Sequence, residues 1–401
     1  MFGDDARMHA QAPKMAFSME AQSMDIHDIQ RRRVVAGLLA GGGLLASGTT
    51  DASPPRRAHH APSRVGIAVV GLGEYAAFVL ERLASCRTAY PAALVTGSKD
   101  KARAIAARYG IPDAAIHGYD DYARLADDET IVAVHICLPV GLHAQHALKA
   151  LAAGKHVLCE KPLAATAAEA RALADAARDA GKVLMPAYRA WFSDAVQDAL
   201  GRCREGTHGA LASVDAHKGF HLRQPAGNWR FDPALSGGGC LTDIGIYSVQ
   251  LQRWACGGLP RSVTAVAHRR PGDARFAQVE SDIGWVAQFD GGVLATGSAS
   301  WRYRLQNRLR LGFEQAWLDL DPATPAMGER MRLGLDGPNR VEELMFPLRD
   351  QVPRMYEAFA DACMGRSAPP VAASEGIADL VMMEAIRQAA ASGTTVALPA
   401  G

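Results

Sequence analysis

Asp243 and Tyr247 stand four residues apart in Leu241 to Trp254, a stretch whose pattern predicts a helix, so both side chains project from one face. A phenol beside a carboxylate suits the oxidation of a hydroxyl group. The phenol takes the proton as hydride leaves carbon, and the carboxylate holds the substrate or keeps a neighbouring cation in place. Free tyrosine ionises near pH 10, at about the top of the useful range, so a nearby cation is needed to favour phenolate. Lys161 is the candidate. It closes Gly154-Lys155-His156-Val157-Leu158-Cys159-Glu160-Lys161-Pro162, where a short apolar strand ends in a charged pair that a proline stops. At the carboxyl edge of an open α/β sheet such a lysine faces the ligand crevice. The plainer alternatives are a solvated Glu-Lys pair, a locally satisfied aspartate at a helix start and a half-buried core phenol.

A second motif supplies the partner for that chemistry. The buried-looking strand Val65 to Val70 runs into Gly71-Leu72-Gly73-Glu74-Tyr75-Ala76, a G-x-G-x-x-A dinucleotide fingerprint followed by a helix from Tyr75 to Leu83. Gly71 permits the tight turn, Gly73 lets backbone approach a pyrophosphate, and Ala76 keeps helix and strand close. At the end of the next strand no acidic residue precedes Asp100. Ser98 with Lys99, Lys101 or Arg103 would instead receive a 2′-phosphate, which favours NADP; NAD is the alternative, with Asp100 on the ribose.

The elements that must position these groups read as two domains. From residue 64 to 186, strands at Ala92 to Thr96, Ile131 to Cys137, His156 to Cys159 and Val183 to Met185 alternate with alanine-rich helices such as Thr166 to Ala180. That alternation predicts a doubly wound Rossmann domain with a parallel sheet. Residues 187–401 predict an α+β substrate-binding and oligomerisation domain with a large, mostly antiparallel open sheet. Its helices are expected at Ser193 to Arg204 and Leu241 to Trp254, and its strands at Ser262 to His268, Ile283 to Phe289, Val293 to Ser300 and Arg308 to Phe313. Terminal helices at Gln351 to Met364 and Ser374 to Ala391 are expected to pack back between the two parts.

Ahead of this, residues 1–52 carry Arg31-Arg32-Arg33, the apolar run Ala36 to Ala46 and then small residues, the order of a twin-arginine export signal. A periplasmic protein handled by that export machinery is expected, with cleavage near Gly48 or Ala52. The apolar run falls short of the roughly 20 residues that span a bilayer, so no stable anchor is expected. Residues 53–63, rich in proline, should form an extended linker or an arm on a neighbouring surface. The formal net charge of +1 with interspersed signs gives no footprint for nucleic acid. His143 and His146 lie one turn apart, but no carboxylate or cysteine joins them, and no metal site is expected.

Together with Ala187-Tyr188-Arg189, Asn228-Trp229-Arg230 and Gly237-Gly238-Gly239-Cys240-Leu241-Thr242-Asp243-Ile244-Gly245-Ile246-Tyr247-Ser248, these motifs resemble the glucose-fructose oxidoreductase / inositol dehydrogenase (Gfo/Idh/MocA) family. The resemblance covers residues 64–397 and is strongest to the exported glucose-fructose oxidoreductase branch. It implies Lys161, Asp243 and Tyr247 as the catalytic set. It further implies that Leu138, Pro139, His143, Glu160 and Arg189 line the cofactor, with His143 near the nicotinamide end. Tyr188, Trp229 and Arg230 would line the sugar-facing side with the catalytic set, unless they serve packing, and His217 and His221 could edge the cleft. Leu138-Pro139-Val140 stands where the family has Thr-Pro-Asn, and Trp191-Phe192 where it has His-Tyr, which puts the substrate more than the reaction in question. The implied activity is hydride transfer between an aldose or related polyol and tightly held NADP, with a second sugar as acceptor. An ordinary sugar or inositol dehydrogenase, an NAD-dependent glycoside hydrolase and a sugar-binding protein without turnover are the alternatives. The resemblance also implies homodimers or homotetramers.

Overall fold

Every residue of β1 (Val65–Val70) is buried, as a strand covered on both faces requires. It lies inside a parallel sheet of the computed structural model, which describes residues 64–303, 306–335 and 340–399. The expected export signal and proline-rich arm lie outside the described residues. From β1 the chain alternates through α1 (Glu74–Ala84), β2 (Ala89–Val95), α2 (Lys99–Tyr109), β3 (Ile116–His117), α3 (Tyr122–Asp127), β4 (Ala133–Ile136), α4 (His143–Ala152), β5 (His156–Cys159), α5 (Ala167–Asp179) and β6 (Leu184–Pro186). The strands pair in the order β3-β2-β1-β4-β5-β6, all parallel. This is a Rossmann sheet, and its connections reverse direction between β1 and β4, which opens a crevice at their carboxyl ends.

Local sequence explains the helices. In α5 the Thr166 hydroxyl accepts from the Glu169 amide while Glu169 reaches back to the Thr166 amide, a reciprocal cap worth about 1 kcal/mol. Ala167, Ala170, Leu173 and Ala177 then bury one face at helical spacing. Small residues on that face let the helix lie close to the sheet.

The second half comprises α6 (Asp194–Glu205), β7 (Leu211–Gly219), α7 (Pro233–Ser236), α8 (Ile246–Cys256), β8 (Ser262–His268), β9 (Asp282–Gln288), β10 (Leu294–Ser300), β11 (Gln306–Phe313), β12 (Ala316–Leu320), β13 (Met331–Leu335), β14 (Val341–Leu344), α9 (Gln351–Cys363), α10 (Ala373–Ser392) and β15 (Val396–Ala397). Nine strands form one sheet in the order β14-β13-β12-β11-β7-β10-β9-β8-β15. Only β7 and β10 pair in parallel; the other neighbours are antiparallel. β7, β12, β13 and β14 were not among the strands expected from the sequence. β7 nonetheless occupies the middle of the sheet, with Val214 and Ala216 buried on one face. Helix α10 packs against α5 and β6 of the first sheet and against β8 of the second, while α9 packs against α1.

Candidate active site

The fingerprint turn has the shape its glycines demand. Gly71 has φ +87°, and a Cβ there would come within 2.6 Å of the Cys137 carbonyl oxygen and 2.7 Å of Leu138 Cδ2. Gly73, by contrast, has nothing within 4 Å of a built Cβ. Open space above Gly73 and the uncapped first amides of α1 make a cradle for a pyrophosphate, so the residues present fit a dinucleotide. Leu72 and Ala76 are buried beneath the turn, while Glu74 and Tyr75 are exposed. Ser98, Lys99 and Asp100 are exposed where β2 gives way to α2, and Arg103 pairs with Asp100 at 3.0 Å. Leu138 and Pro139 border the crevice from the end of β4, both half-buried.

His143 opens α4. It is buried, with Nδ1 2.8 Å from the Pro162 carbonyl and Nε2 2.8 Å from the Leu138 carbonyl. Burial lowers its pKa although both carbonyls favour the charged ring. It therefore ties the loop after β4 to the loop after β5. His146 instead bonds the Tyr122 hydroxyl at 3.0 Å.

Lys161 emerges directly after β5 and Glu160. Its Nζ donates to the Asp243 carbonyl, lies 3.9 Å from Asp243 Oδ1 and stands 4.9 Å from the centre of the Tyr247 ring. The three expected catalytic residues thus converge. Their route is not the plain helix expected. Leu241–Gly245 form a wide π-type turn ahead of α8, a feature common at functional sites. The Glu280 carboxylate accepts from the Gly239 and Leu241 amides at 3.1 Å and so anchors the start of that turn. Gly239 leaves room for it, since a Cβ would fall 2.2 Å from the Glu280 carbonyl oxygen.

Asp243 is shared. Its Oδ2 lies 3.4 Å from Arg230 Nε, and the Arg230 guanidinium rests 4.5 Å from the centre of the Trp229 ring. One carboxylate thereby fixes two cations and one aromatic face at half-exposed positions, an arrangement able to meet hydroxyl groups. Glu160 is buried with Oε1 3.4 Å from His135 Nε2, so its carboxylate serves the base of the crevice.

Several expected residues sit elsewhere. Tyr188 is 2 % exposed and packs 6.1 Å from the Trp254 ring, so it belongs to the core and does not line the cleft. Its phenol is held well above the usual range by burial and by Asp379. Arg189 donates to the Thr324 and Pro325 carbonyls and to Gln351, at 2.6 to 3.0 Å, and its guanidinium carbon lies 5.3 Å from the Tyr247 ring centre. It thus stands beside Tyr247. His217 lies on the opposite face of β7 from Lys218 and bonds Ser298 at 2.9 Å, away from the cleft. His221 is exposed, 3.4 Å from the Arg302 carbonyl. Among the described residues no group of three His, Cys, Asp or Glu side chains is placed to hold a metal.

The sequence reading missed Lys218. Its Nζ lies 5.0 Å from the Tyr247 ring centre, and burial with Arg189 and Lys161 nearby pulls its pKa down to about 7. Its strand alternates small residues, and no motif marks it.

Comparison with known proteins agrees with this geometry. Residues 65–188 match the model of an oxidoreductase family with an NAD-binding Rossmann fold, and residues 196–319 match the GFO/IDH/MocA C-terminal domain. The chain is 33% identical over 310 residues to D-xylose 1-dehydrogenase (NADP(+)) 2 of Haloferax volcanii, covering 77% of this chain and 91% of that one. It is 28% identical over 357 residues to D-glucoside 3-dehydrogenase of Escherichia coli K12, covering 84% and 98% respectively. Among solved structures, aldose-aldose oxidoreductase from Caulobacter crescentus, complexed with glycerol, superposes with a TM-score of 0.80 at 34% identity, covering 84% of this chain and all of that one.

Proposed function

This chain belongs to the GFO/IDH/MocA family of nicotinamide-dependent oxidoreductases, and on that premise we propose that it transfers hydride between an aldose or related polyol and NADP. The observation that carries this reading is the convergence of Lys161, Asp243 and Tyr247 beside the crevice that the fingerprint turn opens. When bound, the nicotinamide ring supplies the hydride acceptor. The chain supplies the rest. The turn Gly71 to Ala76 and the first amides of α1 hold the pyrophosphate, and Ser98 with Lys99 meets the 2′-phosphate. Asp243, Arg230 and Trp229 orient sugar hydroxyls, and Tyr247 takes the proton of the hydroxyl being oxidised.

Arg31 to Ala46 directs export to the periplasm, where little free nicotinamide is at hand, so the cofactor is tightly retained and a second sugar carbonyl takes the hydride back. The relatedness to an aldose-aldose oxidoreductase supports that ping-pong cycle. Val266, Val286 and Leu294, exposed on one face of the nine-stranded sheet, support pairing of two copies there.

Incubating the purified protein with pairs of aldoses and no added nucleotide tests the proposal. Lactone and alditol should appear together. Turnover only after NADP is added would reduce the protein to an ordinary dehydrogenase, and release of NAD alone on denaturation would overturn the choice of NADP.

A further inference from the structure

Lys218 sits on β7 between Ala299 of β10 and Asn307 of β11. Its Nζ is as near the Tyr247 ring centre as that of Lys161, 5.0 Å against 4.9 Å. The two lysines differ in their company. Lys161 is pinned by the carbonyl and carboxylate of Asp243. Lys218 donates to the Thr324 hydroxyl at 2.8 Å, and that hydroxyl donates onward to Asn307 Oδ1 at 2.8 Å. Because the threonine proton is committed to Asn307, Thr324 accepts from Lys218 whether the amine is charged or neutral. The nitrogen is thereby held in place in both states.

The charged and titratable groups set against it come from three places in the fold: Arg189 follows β6, Lys161 follows β5 and Tyr247 lies on α8. The charges that bear on Lys218 itself are the cations Arg189 and Lys161, which with burial oppose a further positive charge.

We propose that Lys218 is the proton store of the reaction centre: through the Tyr247 hydroxyl it receives the proton that a sugar hydroxyl loses on oxidation, and it returns that proton when a second carbonyl is reduced. In the oxidising half the sugar O–H bond breaks and its proton joins the Tyr247 oxygen, whose own proton passes to the neutral Lys218 amine. The C–H electron pair departs as hydride, so the sugar loses two electrons and Lys218 becomes an ammonium. The phenol ends as it began. The reducing half runs the same steps backwards, with the ammonium as the proton source. This rests on the sugar-oxidoreductase reading above, and it places the residue behind Tyr247, not on the sugar.

The test is single-turnover reduction of the cofactor by an aldose in the holoenzyme across pH, with competitive acylation of Lys218 read by mass spectrometry. In the native protein the rate should climb about tenfold per pH unit below about pH 7 and then level off, as a neutral amine is required. Lys218→Met should lower the rate by about 10²-fold and lose that climb. Lys218→Arg should lose it too, because a guanidinium does not release its proton. Acylation of native Lys218, which needs no variant to fold, should show a midpoint near pH 7. A midpoint of about 10, that of an ordinary lysine, overturns the inference. So does a Lys218→Met profile that keeps the native climb while Tyr247→Phe is inert. Should Tyr247→Phe itself remain active, the parent reading falls, and the store with it.

Discussion

The two ends of helix α8 hold charged groups in opposite ways. At its last turn Arg253 is buried, 2.8 Å from Asp379 and 3.1 Å from Glu375, and Trp254 Nε1 donates to the same Glu375 at 3.1 Å. Two carboxylates answer one guanidinium, and Tyr188 packs beside them. At its first turn the balance is reversed. Lys161, Lys218 and Arg189 all lie within 5.3 Å of the centre of the Tyr247 ring, while the Asp243 carboxylate is shared between Lys161 and Arg230. Paired charges in a dry interior fix α8 to α10. Cations in excess at a half-open face keep donor capacity for a hydroxylated ligand and for charge that develops during reaction. One helix thus separates stability from chemistry by the company its charges keep.

That division predicts variants with non-overlapping effects. Tyr247→Phe or Lys161→Met should cut turnover by about 10²–10⁴-fold, or about 3–5 kcal/mol of barrier, and leave the thermal midpoint unchanged. Calorimetry alongside sugar turnover checks both halves. Arg253→Met should do the reverse. Stranding Asp379 and Glu375 without their cation costs about 3–5 kcal/mol of stability, while the turnover of the protein that remains folded is kept. Should Arg253→Met instead lower turnover at full stability, the separation along α8 is wrong.

How far the sequence foretold this follows the same line. The fingerprint turn, Lys161 and the Asp243–Tyr247 pair are contiguous motifs, and backbone demands at Gly71 and Gly239 make them readable. The strands β8 to β11 also lie within two residues of their expected bounds. What escaped is assembled across long stretches of chain. Arg189 reaches Thr324 over 135 positions, Lys218 reaches Thr324 over 106, and Glu280 caps Gly239 over 41. β7 escaped because its inward residues, Val214, Ala216 and Lys218, give a weak apolar alternation. Tyr188 misled for the opposite reason: an aromatic next to an arginine suits a sugar, and only burial against Trp254 and Asp379 shows otherwise.

A pH dependence sharpens the contrast at the stabilising end. Burial pushes Asp379 up to about 6 from its ordinary 3.8, against the pull of Arg253 and Tyr188. The folded state therefore keeps a proton between about pH 4 and pH 6 that the unfolded chain has released, so this residue's contribution to stability falls as pH rises through that window. A shift of about two units corresponds to at most about 3 kcal/mol. Asp379→Asn should remove this component, and denaturant titrations of both proteins at either side of the window should differ in slope with pH. Parallel curves would mean that Arg253 keeps Asp379 ionised throughout.

The smallest effect belongs to the chemical end. Glu280 holds the start of the wide turn through the Gly239 and Leu241 amides, and with no helix cap of another kind there, it satisfies donors that would otherwise stay unpaired. Glu280→Gln keeps one acceptor oxygen and removes the charge that complements those amides, at a cost of about 1 kcal/mol. If the turn only supports α8, turnover should follow the small loss of stability. If the turn also aims Asp243 at Lys161 and Arg230, the Michaelis constant for sugar should rise several-fold while the thermal midpoint barely moves, because a carboxylate displaced from its two cations binds hydroxyls less well without unfolding anything. The second outcome is expected, since the turn's carbonyl at Asp243 is itself bonded to Lys161 and any slackening reaches the phenol directly.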